Sequence, residues 1–408
     1  MGLPLPVILN QQSTILNPMT FSHRVSHLEP EGAYAVLARA QALEAQGRII
    51  LHLEIGQPDF PTWPNISLAG IRAIASGQTR YNPPAGIPKL REAIAAEAGT
   101  RRGIEVNPAQ VVVGPGAKPG LFFPTLALVE PGDEVIYPDP GFPTYAAMIG
   151  VAGGVPVPVP LREENQFSFD LEAFDQRISD RTKLIILNSP ANPTGGVIPL
   201  ADLEHIAGAA EKHGAWVLSD EIYARLAYDG LHVPSIASLP GMVRRTVICD
   251  GFSKTYAMTG WRLGYMIMPE ALAERVELLL THSIGCTATF TQIAGIEALT
   301  ADQSPVEAIL GEYQRRRDRI VAGLNRIPGV KCQSPQGAFY VFPNIKSFSL
   351  PAREIQSRLL DEAGVAVLAG TDFGAGGEGY LRLCYATSVE SIDRALEQMA
   401  RTFSGLGG

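Results

Sequence analysis

The chain is 408 residues long, which at roughly 150 residues per domain allows two or three domains and a large core. Apolar residues make up 46% and charged residues 18%, which excludes a disordered chain, and a net charge of -8 excludes general attraction to nucleic acid or to an anionic membrane face. Cys249, Cys286, Cys332 and Cys384 form no C-x-x-C pair, so they are read as reduced, mostly buried thiols and no metal site is assigned.

Residues 1–30 are polar and Pro-containing and read as an arm. The start MGLPLPVIL lacks the basic segment of a secretory signal, Pro6 stands where N-myristoylation needs Ser or Thr, and no apolar run reaches the ~18 residues of a membrane span. A soluble, cytoplasmic protein with neither membrane nor nucleic-acid partners is expected. AYAVLARAQALEAQ (33–46) has the composition of a helix ending at Gly47. Strand-like runs follow at 49–55, 110–114, 134–137, 155–159, 183–187, 215–218, 245–249 and 263–268, with helical patterns at 88–98, 118–129, 200–213 and 270–280. This alternation predicts an α/β fold, a mostly parallel central sheet sandwiched by helices. After about residue 300 the pattern changes. A helix near 305–327, a strand at 338–342, a helix at 352–363, strands near 366 and 380 and a helix from 388 predict a smaller α+β domain.

In an open α/β sheet the ligand gathers at the carboxyl ends of the strands, so the loops after expected strands hold the chemistry. VVVGPGAKPGLFF (111–123) leads through Gly114, Gly116 and Ala117 into a helix whose free N–H groups can hold a phosphate. Pro119 breaks the dinucleotide pattern G-x-G-x-x-G, no Walker glycine precedes Lys254-Thr255, and a plain glycine-rich turn is the alternative. LIILNSPANPTGG (184–196) presents Asn192 on a rigid loop or uses it as an Asx-turn residue. WVLSDEIYARL (216–226) ends a strand in the adjacent acids Asp220 and Glu221, costly without donors, unless Asp220 simply caps a following helix. DGFSKTYAMTGWRLGYMI (250–267) sets Lys254 among small, aromatic and apolar residues. Desolvation lowers an amine's pKa and makes it a nucleophile, whereas a solvated surface lysine would do nothing.

Together PANPTG, SDEIY and SKTYAMTGWRLGY, with LEIGQPDF (53–60), GAFYVFP (337–343) and YLRLCYATS (380–388), resemble the class I aminotransferases, pyridoxal-phosphate enzymes of fold type I. The likeness spans roughly residues 30–400. It implies three parts: 1–58 as an arm and part of the small domain, 59–300 as the cofactor-binding large domain, and 301–408 as the small domain. It also implies that Lys254 carries the cofactor covalently and later moves a proton from the substrate Cα. By the same likeness Asp220 holds the pyridine nitrogen, Tyr223 and Asn192 hold the phenolic oxygen, and Phe142 in DPGFPTY stacks on the ring. The phosphate falls to Gly116, Ala117, Ser253 and Arg262, with Lys118 bordering them. Tyr81 in RYNPPAGIPKLREA corresponds to a tyrosine that reaches the neighbouring subunit's phosphate, which implies a homodimer. Arg382 is expected to grip the substrate α-carboxylate, with Gly56 and Asn192 alongside.

The activity implied is ping-pong transfer of an amino group from an L-amino acid to a 2-oxo acid. Lys118 falls where an aspartate-accepting bacterial subgroup has a lysine proposed to meet the distal carboxylate, which points to aspartate and 2-oxoglutarate. Pro119-Gly120 depart from that subgroup's Gln-Ala, and LTHSIGCTATFTQ (280–292), expected near the site mouth, departs as well. Neutral or aromatic amino acids therefore stay open. So do a C–S lyase, cyclase or decarboxylase on the same scaffold and, from another class, a non-catalytic ligand-sensing domain.

Overall fold

Residues 184–187 of the chain are four consecutive large apolar side chains, and alternate ones turn to opposite faces of a strand. Leu184 and Ile186 join one buried cluster, with Leu218, Val247 and Met266, while Ile185 and Leu187 join another with Val217, Ile206 and Ala210. A strand apolar on both faces must be covered on both, at about 1.5–3 kcal/mol per buried Leu or Ile. The computed structural model, which describes residues 22–26 and 28–406, meets that demand with helices on each side. Most of the expected arm lies outside the described residues, and His23–Ser26 is a helical turn.

In chain order the strands are β1 (Leu51–His52), β2 (Val111–Gly114), β3 (Glu134–Asp139), β4 (Val155–Arg162), β5 (Ser168–Phe169), β6 (Thr182–Asn188), β7 (Trp216–Asp220), β8 (Thr246–Gly251), β9 (Gly264–Ile267), β10 (Tyr340–Val341), β11 (Val365–Ala366), β12 (Leu368–Ala369) and β13 (Leu381–Cys384). Eight of them form one sheet in the order β2-β9-β8-β7-β6-β3-β4-β5. The pairs from β8 to β4 are parallel, and β9 and β5 run against their neighbours. The register sets Asn188 opposite Asp220 and Asp220 opposite Cys249, while Gly264 lies between Gly114 and Gly251. The carboxyl ends of β6 and β7 therefore finish level, and β8 runs on two residues past Cys249 to Gly251.

Helices Lys118–Leu128, Thr144–Ala152 and Glu270–Thr281 cover one face of the sheet, and Leu200–His213, Pro88–Arg102 and Thr289–Thr300 the other. Toward the C-terminus, β10-β13-β12 and the pair β1-β11 pack with helices Ser304–Leu324, Ala352–Ala363 and Val389–Leu406. Helix Gly32–Glu44 joins that end through Val36 and Ala40 against Leu360, Ala366 and Leu368.

The sequence reading is too generous at 49–55, where only Leu51–His52 is strand, and silent on helices Pro64–Ala75, Thr144–Ala152 and Thr289–Thr300. The cause is physical for two of them. Helix 64–75 carries apolar residues on its open side, Leu68, Ile71 and Ile74, as well as on its buried one, and helix 289–300 buries polar Thr291 and Gln292. A Cβ on their glycines, Gly70 and Gly295, would strike Trp261 and Leu263, which makes both helices products of close packing.

Candidate active site

Lys254 stands in the turn after β8, and its Nζ donates to the Gly56 carbonyl at 2.6 Å. The rings of Tyr223 and Phe339 lie 5.8 and 5.7 Å from the amine. Burial, with the guanidinium charges of Arg382 and Arg262, pulls its pKa down to about 8. A surface lysine is thereby excluded.

Asp220 ends β7 and is 5% exposed. No helix follows it, so the capping alternative fails, and its Oδ1 instead accepts from the Ile222 N–H at 3.3 Å. Its Oδ2 accepts from the Tyr145 hydroxyl at 2.8 Å. Burial, opposed by these donors and reinforced by Asp250 and Glu221, lifts the carboxyl from 3.8 to about 6. Beside it, Asn188 donates to the Asp220 carbonyl at 3.1 Å and accepts from the Asn192 N–H at 2.8 Å, which fixes the loop that carries Asn192. The Asn192 side-chain oxygen is buried without a partner. Tyr223 shares a 2.7 Å hydrogen bond with the Tyr340 hydroxyl, and burial pushes the Tyr223 phenol up.

Where β2 ends, Gly116 adopts φ +93°, open to glycine but strained for other residues, and a Cβ there would collide with the Arg262 guanidinium. Arg262 itself sits at φ +53° and donates to the carbonyls of Thr259, at 2.8 Å, and Pro115, at 3.2 Å. Helix 118–128 starts just beyond Ala117 and points its first N–H groups at this corner, although Pro119 removes one donor. Ser253 is buried one residue before Lys254. A groove of about 720 Å³ opens beside Arg262 and Pro115, and Cys286, Thr287 and Thr291 of the 280–292 segment line it.

Arg382 on β13 is 3% exposed and lies between the rings of Tyr340, 4.6 Å away, and Phe373, 5.2 Å away. It donates through Nη2 to the Glu54 carbonyl, while its Nε is buried without a partner. Gly56 is close by, because a Cβ there would occupy the place of the Tyr340 hydroxyl. Phe142 meets Tyr145 edge-on at 5.8 Å, and the Lys118 amine stands 5.2 Å over the Phe142 ring. Lys118 is paired with Glu31. Tyr81 is 99% exposed and meets nothing of this set within one chain.

Lys254, Asp220, Tyr223, Asn192, Gly56 and Arg382 are thus drawn together from five separate stretches. The residues fit a phosphorylated pyridine aldehyde: a desolvated amine, an acid lifted by burial, buried polar atoms of Asn192 and Arg382 that lack partners, and a glycine corner under a guanidinium. Among the described residues no cluster of His, Cys, Asp and Glu could hold a metal ion, and no helix is long and apolar enough to cross a membrane. Sequence reasoning missed Tyr145, Tyr340 and Glu31. The first two lay inside quoted motifs, DPGFPTY and GAFYVFP, where a buried phenol's need for a partner was the available signal. Glu31 carried none.

Residues 48–399 match the sequence model of the family described as aminotransferase class I and II. The chain is 42% identical over 359 residues to an aspartate aminotransferase of Pyrococcus horikoshii, covering 87% of this chain and 91% of that one. It is 38% identical to aromatic-amino-acid aminotransferase 2 of Thermococcus litoralis, over 94% and 98% of the two chains. Among solved structures, the aspartate aminotransferase from Thermus thermophilus with maleate is 40% identical, with a TM-score of 0.89, over 94% of this chain and all of that one, 100%.

Proposed function

Since the chain belongs to the class I and II aminotransferases and is a pyridoxal-phosphate-dependent transaminase, we propose that its site moves the amino group of an L-amino acid to a 2-oxo acid through Lys254. The observation that carries this is the Lys254 amine, which donates to the Gly56 carbonyl, feels the charges of Arg382, Arg262 and Asp220, and has its pKa drawn down to about 8 by burial. When bound, pyridoxal phosphate supplies the electron sink that acidifies the substrate Cα–H.

The chain's own residues do the rest. Asp220 would hold the ring nitrogen's proton, and Tyr145 keeps that carboxylate oriented. Tyr223 and Asn192 would donate to the phenolic oxygen, and Phe142 would lie against the ring. Gly116, Ala117, Ser253 and Arg262 would hold the phosphate, with Tyr81 added by a second copy. Arg382, whose Nε is left without a partner, would take the substrate α-carboxylate through its guanidinium, beside Gly56 and Asn192, and so set the Cα–H toward Lys254. The Lys254 Nζ, uncharged above about pH 8, then takes the Cα proton and returns it. A cytoplasmic homodimer suits the free thiols and the bare Tyr81. Residues 1–58, 59–300 and 301–408 are taken as the functional divisions.

For substrate, aspartate with 2-oxoglutarate is the first reading, supported by relatives named aspartate aminotransferases, one solved with maleate, a four-carbon dicarboxylate. The second, neutral or aromatic donors, is favoured by Glu31, which already gives Lys118 a carboxylate.

The test is a pair of half-reactions. Aspartate should bleach the visible band of the loaded enzyme and 2-oxoglutarate should restore it, with borohydride fixing the cofactor to Lys254. Failure of the return step would instead support a lyase, and a colourless protein with no adduct would overturn the reading.

A further inference from the structure

Two further buried acids stand next to Asp220. Glu221 follows it in the chain, and Asp250 lies on β8 one residue past Cys249, the register partner of Asp220. Glu221 accepts from the hydroxyls of Ser219, at 2.9 Å, and Ser235, at 2.6 Å, and from Arg102 Nε at 2.7 Å. Asp250 accepts from the Tyr265 hydroxyl at 3.1 Å, the Gly251 N–H at 2.7 Å, Arg102 Nη2 at 3.0 Å and Arg101. Arg101 also pairs with Glu97, which lies 3.7 Å from Arg225. The set therefore holds three acids, Glu97, Glu221 and Asp250, against three guanidiniums, Arg101, Arg102 and Arg225. Asp220 is the one acid left over.

Arg102 is the last residue of helix 88–102 and is 6% exposed, and Gly103, at φ +66°, ends the helix immediately after it. It bridges Glu221 to Asp250, the two acids nearest Asp220. Unpaired buried charges at this spacing act strongly on one another, because little solvent screens them. Groups from every neighbouring element face Asp220: Tyr145 from helix 144–152, Cys249 and Asp250 from β8, Glu221 and Tyr223 after β7, and Lys254. Of these, Glu221 and Asp250 are the negative neighbours that raise its carboxyl.

We propose that Arg102 is a positioning residue for the cofactor site: by bridging Glu221 and Asp250 it supplies, together with Arg101, the positive charge that balances them, so that Asp220 alone presents net negative charge to the ring nitrogen. This deepens the functional reading above and rests on the role given there to Asp220. The bridge acts through Asp220 and touches neither substrate nor cofactor.

The experiment compares holoenzymes of the wild type, Arg102→Gln, Glu221→Gln and the double variant by pH titration of the cofactor's visible band, with Tm measured alongside. Losing a cation should raise the titration midpoint of Arg102→Gln by about one pH unit, the size expected of a charge roughly 10 Å away at an effective dielectric near 20. Glu221→Gln, a milder change should Arg102→Gln fail to fold, should lower it. The double variant restores the charge balance and should titrate within about 0.3 unit of wild type even if its Tm has fallen, since the charge effect scales with net charge. An unshifted midpoint in either single variant, a shift of the opposite sign, or a double variant still displaced would overturn the proposal. Asp220→Asn is the control. If it titrates like wild type the underlying reading fails, whereas an altered Asp220→Asn with silent Arg102 and Glu221 variants sinks this inference only.

Discussion

Asp220 and Glu221 are adjacent, alike in charge and alike in burial, at 5% and 3% exposure, yet their surroundings treat them oppositely. Glu221 receives two hydroxyls and the Arg102 guanidinium, close to the four bonds that a carboxylate can accept. Asp220 receives one phenol and one backbone N–H at 3.3 Å, and its carboxyl rises to about 6. A saturated buried acid is part of the scaffold. One left short of donors at a strand end, beside a desolvated lysine, is the acid to which the proposed function gives a ligand's positive group.

Substitutions can break that contrast, and the most severe lies just across from Asp220. Lys254→Ala should lower transamination by about 10⁴-fold or more, since both covalent capture and proton transfer are lost, and should abolish the borohydride adduct seen by mass spectrometry. Arg382→Leu removes a buried cation from between two rings. It should raise KM for every amino donor about a hundredfold, in steady-state assays, as expected when one partner of a buried ionic contact is truncated.

The Asp220 side of the comparison has a pH signature. Because folding lifts this carboxyl from 3.8 to about 6, the folded cofactor-free protein binds more protons than the unfolded chain between those values. Its stability should therefore fall as pH rises through that window, by roughly 3 kcal/mol, and the fall should vanish in Asp220→Asn on denaturant titration. Above about pH 6 the carboxylate is ionised, so cofactor affinity should improve across the same range. Tyr145→Phe should sharpen the contrast further, costing about tenfold in cofactor affinity by dialysis and moving the Asp220 carboxyl still higher. The smallest effect belongs to the mouth. Glu31→Gln frees the exposed amine of Lys118 and should raise kcat/KM for aspartate about two- to fivefold while leaving alanine unchanged, and Lys118→Ala should weaken aspartate selectively.

Much of this was written locally. Apolar runs such as 184–187 demanded a doubly covered parallel sheet, and SKTY, SDEIY and PANPTG marked the strand-end loops because each combines a buried run with residues too polar or too rigid to bury idly. Lys254 was legible for the same reason, as a lone amine in apolar sequence. Helices 64–75 and 289–300 were not legible, since their faces are defined by neighbours and by the close approaches at Gly70 and Gly295.

By itself, the sequence determined which segments must be buried and which residues stand at their ends, because hydrophobic period and turn chemistry act over a few residues. Only the tertiary structure decided which acid would be satisfied. Arg102 reaches Glu221 across 119 positions and Tyr145 reaches Asp220 across 75, and so distant a pairing leaves no trace in local pattern. Glu31 with Lys118 and Tyr340 with Tyr223 are of the same kind. Hydrogen bonds act at about 3 Å in space, so the chain had to fold before the difference between Asp220 and Glu221 could exist.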